Sequence, residues 1–201
     1  VIFLQEIKDS KKSQINYRKI FGKYNYYISD YLGPNSHKER YAILIHDKIL
    51  INLKISKLQI KELKSNNFNY FQRPPYGLLL GKKLLLLNTH IVFNGNRKEE
   101  VKKLKNNVYR LLRYNKVTNN NFIVAGDYNL DAVTLRNIFK RSNVSTDILT
   151  TNKNNYDHVV SNLNIKKDMV SLLDRSDISD HSPIRVSVKL NTKATKSKNK
   201  Q

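Results

Sequence analysis

With 201 residues, 39% of them hydrophobic and 26% charged, the chain has the balance of a folded globular protein of one domain, or two small ones. That balance excludes a chain that is disordered as a whole. It carries 37 Lys and Arg against 16 Asp and Glu, a formal charge of +21 to which Lys contributes 27, so it is attracted to nucleic acid or an anionic membrane. The absence of Cys excludes disulfides and thiolate metal sites, and the apolar runs, such as 78–80 and 84–87, fall far short of the roughly 20 residues a spanning helix needs.

The chain starts at Val1, and residues 1–5 already read as an apolar, β-prone strand ending at Glu6. The expectation is a domain entered after its beginning. Residues 24–29 are aromatic and β-branched and predict a second strand. Residues 32–40 (LGPNSHKER) have turn chemistry. Residues 41–46 and 49–53 predict a strand pair turning at Asp47 and Lys48. Residues 60–69 are polar and predict a loop. Residues 76–80 and 83–88 predict a hairpin turning at Gly81 and Lys82. Between 97 and 114, Val101, Leu104, Val108, Leu111 and Leu112 recur at helical spacing. Residues 122–125 predict a short buried strand stopping at Gly126. Residues 131–139 predict a helix with Asp131 near its start. Residues 156–160 and 184–190 predict further strands. From 189 onward the chain is a Lys-rich tail. Lys189, Lys193, Lys196, Lys198 and Lys200 either recruit a polyanion or are simply solvated. Strands dominate with helices between them, so the expected class is α/β or α+β.

Ionisable residues recur where apolar strands end. IFLQ runs into Glu6, LLLLNT into His90, and FIVAG into Asp127 and Asn129. Asp157 opens YDHVV, and Asp180 and His181 precede the run from Pro183. A side chain at the end of a rigid strand is held in a defined place. Asp127 and Asn129 are two apart and share a side of an extended segment. Carboxylates, imidazoles and an amide are the inventory for metal-assisted phosphoester hydrolysis. The carboxylates hold a hard divalent cation, and a histidine paired with a carboxylate activates water. His46 and His158 read as packing or surface residues.

These motifs together resemble the endonuclease/exonuclease/phosphatase superfamily, and within it the deoxyribonuclease I branch. The matching pieces are LQE at 4–6, LGPNSHKERY at 32–41, FQRPP at 71–75, NTH at 88–90, GDYN at 126–129, YDHVV at 156–160 and SDHSP at 179–183. The basic, Lys- and Asn-rich composition is also similar to mycoplasma-type membrane nucleases. The resemblance implies a four-layer sandwich of two mixed sheets flanked by helices over residues 1–190, while the polar, Lys-rich composition of 191–201 predicts a basic disordered tail. It implies that Glu6 and Asp180 serve the metal, Mg²⁺ or Mn²⁺ with Ca²⁺ as an alternative. It implies that His181 is the general base, oriented by Asp157, and that Asp127 and Asn129 position water and phosphate oxygens. His90, partnered by Glu39, would be a general acid or phosphate donor. Arg73, Asn35, His37 and Arg40 would contact nucleic acid. The implied activity is hydrolysis of DNA, and of RNA as an extension, with little sequence preference and a 5′-phosphate product, by a monomer needing no protein partner.

The chain departs from the family pattern in three places. The upstream strand whose Asn helps Glu6 hold the metal is absent, so the expected domain is N-terminally incomplete. Pro34 and His37 stand where the pattern has Arg and Tyr, and Pro74 follows Arg73 where it has Glu. Two alternatives stay open: a phosphodiesterase acting on phospholipid or inositol phosphate, and a decayed, non-catalytic nucleic-acid-binding relative. Secretion or membrane anchoring through a segment before Val1 is the expected localisation.

Overall fold

The computed structural model describes residues 1–7, 22–34, 38–63, 68, 70–145, 148–173 and 179–189. Asn35, His37 and the tail beyond Lys189 lie outside these residues. A three-stranded antiparallel sheet holds β1 (Ile2–Ile7), β2 (Tyr24–Ile28) and β3 (Arg40–His46) in the order β1-β3-β2. A six-stranded sheet holds β4 (Ile60–Leu63), β5 (Tyr76–Leu80), β6 (Leu84–His90), β7 (Phe122–Asp127), β8 (Asn143–Val144) and β9 (Asp157–Ser161) in the order β4-β5-β6-β7-β9-β8. Its β6–β7 pair is parallel. Strands β10 (Asn164–Leu172) and β11 (Ile184–Lys189) form an antiparallel ribbon. The helices are α1 (Asp47–Leu53), α2 (Arg97–Tyr114) and α3 (Ala132–Ile138).

The two sheets stack. Tyr41, Ile43 and Ile45 of β3 meet Leu78, Leu80, Leu84 and Leu86 of β5 and β6 in one buried cluster. The opposite face of the larger sheet, with Leu79, Leu85, Leu87 and Val124, packs under α2 and α3. With cover on both faces, every residue of β5 and β6 is buried, so these strands are continuously apolar instead of alternating. Helix α2 buries Val101, Leu104, Val108, Leu111 and Leu112, the spacing read from sequence. Each is worth roughly 1.5–3 kcal/mol, so packing rather than propensity holds this helix. The expected α/β sandwich of two sheets with outer helices is observed. No described helix is long and apolar enough to cross a membrane.

Four local expectations are corrected. Residues 49–53 belong to helix α1 instead of a returning strand. Both edges of β3 are already taken by β1 and β2, so a hairpin partner has no edge to pair with. The turn closes as a helix, with His46 Nδ1 accepting from the Lys48 amide and Leu50 and Leu53 buried. The head of the expected 60–69 loop is edge strand β4, paired with β5. Its exposed Lys61 and Glu62 hid the strand and suit an edge, where charge discourages further pairing. Lys189 ends β11 opposite Asn164 and is not tail. Strand β7 also runs through Gly126 to Asp127.

Gly126 makes that extension possible. Its φ is +145°, and a Cβ there would lie 1.8 Å from the Thr89 carbonyl oxygen on parallel β6. A side chain would force β6 and β7 apart at the row carrying His90 and Asp127. Gly126→Ala is expected to destabilise by about 3 kcal/mol or more, lowering the thermal midpoint by roughly 6–12 °C. Thermal denaturation followed by circular dichroism checks this.

Candidate active site

Strand register brings the central residues together. His90 pairs across the ladder with Asp127, and Asp127 with Asp157, so β6, β7 and β9 present one row of ionisable groups at their common end. The smaller sheet supplies the facing groups. Glu39 stands just before β3, and Glu6 lies near the end of β1 where the register shifts. Glu6 has φ +53°, a left-handed conformation uncommon for a residue with a side chain. This bulge-like kink turns its carboxylate toward His90, with Oε1 3.7 Å from Nδ1.

His90 is the hub. Its Nδ1 donates to Glu39 Oε2 at 3.1 Å and lies 3.0 Å from Oε1. Arg73 Nη1 sits against the ring, 2.9 Å from Nε2 and 3.1 Å from Nδ1. The same guanidinium is 3.7 Å from Glu39 Oε1. Asp127 Oδ2 is 3.7 Å from Nε2. The buried Glu39 carboxylate is thus compensated by a cation and an imidazole N–H, as burial of a charge requires.

Asp127 and Asn129 stand on the turn after β7. Asp127 Oδ1 accepts from the Asn129 amide at 2.7 Å. Asn129, at φ +49°, donates its side-chain N–H to the Ile91 carbonyl at 2.7 Å. Its own carbonyl accepts from Arg97 at 2.9 Å. Burial, reinforced by the neighbouring Asp157 charge, pushes the Asp127 carboxyl up to about 6. On the far side, His181 Nδ1 lies 2.6 Å from Asp157 Oδ2. That bond raises the His181 imidazole to about 9, outweighing its partial burial. Asp180 is exposed and acts on His181 by charge. Arg40 donates Nε–H to the Ser29 carbonyl and stacks over Tyr31, on the strand that begins beside Glu39.

The structure therefore brings Glu6, Glu39, Arg73, His90, Asp127, Asn129, Asp157 and His181 to one end of the stacked sheets. Donor atoms of Glu6, Glu39 and His90 lie within 4.8 Å of one another, and Asp180 is not in that group. Two carboxylates and an imidazole, one carboxylate exposed, fit a hard divalent cation. His46 caps α1, and His158 is buried with Nε2 toward the Leu130 and Asn155 carbonyls, consistent with structural roles.

Three supporting residues carried no assignment from the sequence. Buried Asn88 donates to the Leu4 and Ala42 carbonyls at 2.8 and 3.0 Å and accepts from Gln5, tying β6 to the other sheet. Thr150 Oγ1 accepts from the Asp157 amide at 3.1 Å. Arg97 holds Asn129. Only Asn88 left a signal, as a polar residue inside the apolar run LLLLNTH.

Neither a family model nor a curated protein matches the sequence. Solved structures do match. D. rerio TDP2 complexed with single-strand DNA product aligns over 93% of this chain and 84% of its own, at 16% identity and TM-score 0.57. Truncated Caenorhabditis elegans TDP2 aligns over 92% and 83%, at 16% identity and TM-score 0.59. Cytolethal distending toxin from Actinobacillus actinomycetemcomitans aligns over 82% and 74%, at 14% identity and TM-score 0.51. The chain shares with them a deoxyribonuclease I-like fold.

The His181–Asp157 pair has a pH signature. The folded-state pKa, about 9, lies above the unfolded value of roughly 6.5. Its stabilisation is therefore complete below pH 6.5 and lost as pH rises through 9. Thermal midpoints measured between pH 6 and 9 should fall with pH in the wild type, and Asp157→Asn should flatten that slope.

Proposed function

We propose that this deoxyribonuclease I-like chain is a divalent-metal-dependent nuclease that hydrolyses phosphodiester bonds of DNA, and of RNA as an extension, leaving a 5′-phosphate. The observation that carries the reading is the convergence of two histidine–carboxylate pairs, His90–Glu39 and His181–Asp157, on opposite sides of Asp127. Hydrolysis of a phosphodiester needs a base for the attacking water, a donor for the departing oxygen, and cations against the phosphate. In this reading Asp157 holds His181 through Nδ1, leaving Nε2 to take the proton of the attacking water. Asp127 and Asn129 position that water and the phosphate. As the new P–O bond forms and the old one breaks, His90 donates to the departing oxygen or a phosphate oxygen. Arg73, beside His90, offsets phosphate charge.

Glu6 and Glu39, with Asp180 as a further carboxylate, would hold Mg²⁺ or Mn²⁺, with Ca²⁺ as an alternative. When bound, the ion supplies charge neutralisation at the phosphate. The +21 charge favours a polyanionic substrate over a neutral lipid surface. The single-strand DNA product held by the D. rerio relative supports the same substrate class. Backbone contacts by Arg and Lys carry no base code, so weak sequence preference is expected. Secretion or membrane anchoring, acting as a single polypeptide, remains part of the proposal.

His181→Ala is expected to lower plasmid cleavage by about 10²-fold or more, and a chelator to abolish it. Gel assays of wild type, variant and chelated protein check both. Undiminished cleavage by the variant, or hydrolysis of phospholipid in preference to DNA, overturns the reading. Since His181 must be neutral to act as base, the wild-type rate should rise with pH from 6 toward 9.

A further inference from the structure

Beside the catalytic row, Phe93 follows β6 and is 56% exposed, a large ring left in water. Arg97 covers one side of it, with Cζ 4.9 Å from the ring centre, and the same guanidinium holds the Asn129 carbonyl at 2.9 Å. Phe93 also meets Tyr156, the residue before Asp157, at 6.5 Å between ring centres. The ring is thus fixed to the site from two directions.

Lys98, the residue after Arg97, is in the lining of a groove of about 450 Å³ between α2 and α3. Lys98, Lys102 and Lys105 line it from α2, and Thr134, Asn137 and Ile138 from α3. The lysines recur at i, i+4 and i+7, one face of the helix, over about 10 Å. Among the described residues no carboxylate lines the groove. The nearby acids are engaged: Glu99 pairs with Lys102, and Asp131 caps α3 through Thr134.

An aromatic platform continued by a row of cations is what a single nucleic-acid strand recognises: a base stacks on the ring and successive phosphates follow the lysines. A closed duplex keeps its base faces covered and cannot use the ring. We propose that Phe93 and the Lys98–Lys102–Lys105 groove form a track for a single strand of nucleic acid leading away from the catalytic row. The proposal rests on the nuclease reading only for its choice of ligand.

The test measures binding of a fluorescein-labelled 15-mer of thymidine, and of a duplex of equal length, by anisotropy in EDTA across a salt series. Phe93→Ala should weaken single-strand binding about tenfold without changing the salt slope. K98E/K102E/K105E should weaken it by more than tenfold and reduce the log–log salt slope by about 2. The milder K98Q/K102Q/K105Q should act in the same direction. K48E/K57E/K61E carries the same charge change at the opposite end of the sheets and should cost threefold or less. Thermal midpoints should match wild type throughout. If the opposite-end variant weakens binding as much as the groove variant, if Phe93→Ala has no effect, or if the duplex loses as much affinity, the track is overturned. Hydrolysis of bis(p-nitrophenyl) phosphate with Mg²⁺ or Mn²⁺ separates the two readings. Its absence in wild type sinks the nuclease and leaves the binding result standing, and its survival in the variants leaves the nuclease intact whatever the track does.

Discussion

The register of three neighbouring strands governs the site. His90 on β6 stands opposite Asp127 on β7, which stands opposite Asp157 on β9. Two carboxylates and an imidazole are thereby held in one row, and the electrostatics follow. Burial, and then the neighbouring Asp157 charge, push the Asp127 carboxyl up, while His90 and His181 on either side draw it down. A slip of one residue between β6 and β7 would turn these groups to the other face. The parallel pair can close at this row because Gly126 has no side chain to meet the Thr89 carbonyl.

The second constraint is the stacking of the sheets. Glu6 and Glu39 belong to the smaller sheet, His90 and Arg73 to the larger one or its approach. Asn88 is the pin between them, buried and spending both amide hydrogens on carbonyls of β1 and β3. An unmade hydrogen bond there would be costly, so this residue favours one placement of the sheets over sliding alternatives. Apolar burial supplies the driving force for stacking, and the polar pin sets its register.

Much of this was legible in the chain. The heptad-like spacing in 97–114 marked α2 over its full length, because burial on one face leaves a 3.6-residue period. GDYN, NTH and SDHSP marked residues that do gather, since strand ends are where side chains can be both rigid and accessible. Residues 49–53 misled because a β-branched run reads as a strand when the occupancy of the neighbouring edge is unknown. Strand β4 was hidden by its brevity and two exposed charges. Thr150 and Arg97 were invisible because their roles are to hold a backbone amide and a carbonyl distant in sequence.

The sequence by itself determined which ionisable residues stand at strand ends and the alternation of strands and helices, because residue types and periodicity are local properties. Only the tertiary structure decided which carboxylate meets which imidazole. Glu39 and His90 lie 51 positions apart, and Asp157 and His181 lie 24 apart. Proximity across such separations comes from strand register and sheet stacking, set by contacts over the whole core, and no local pattern records it.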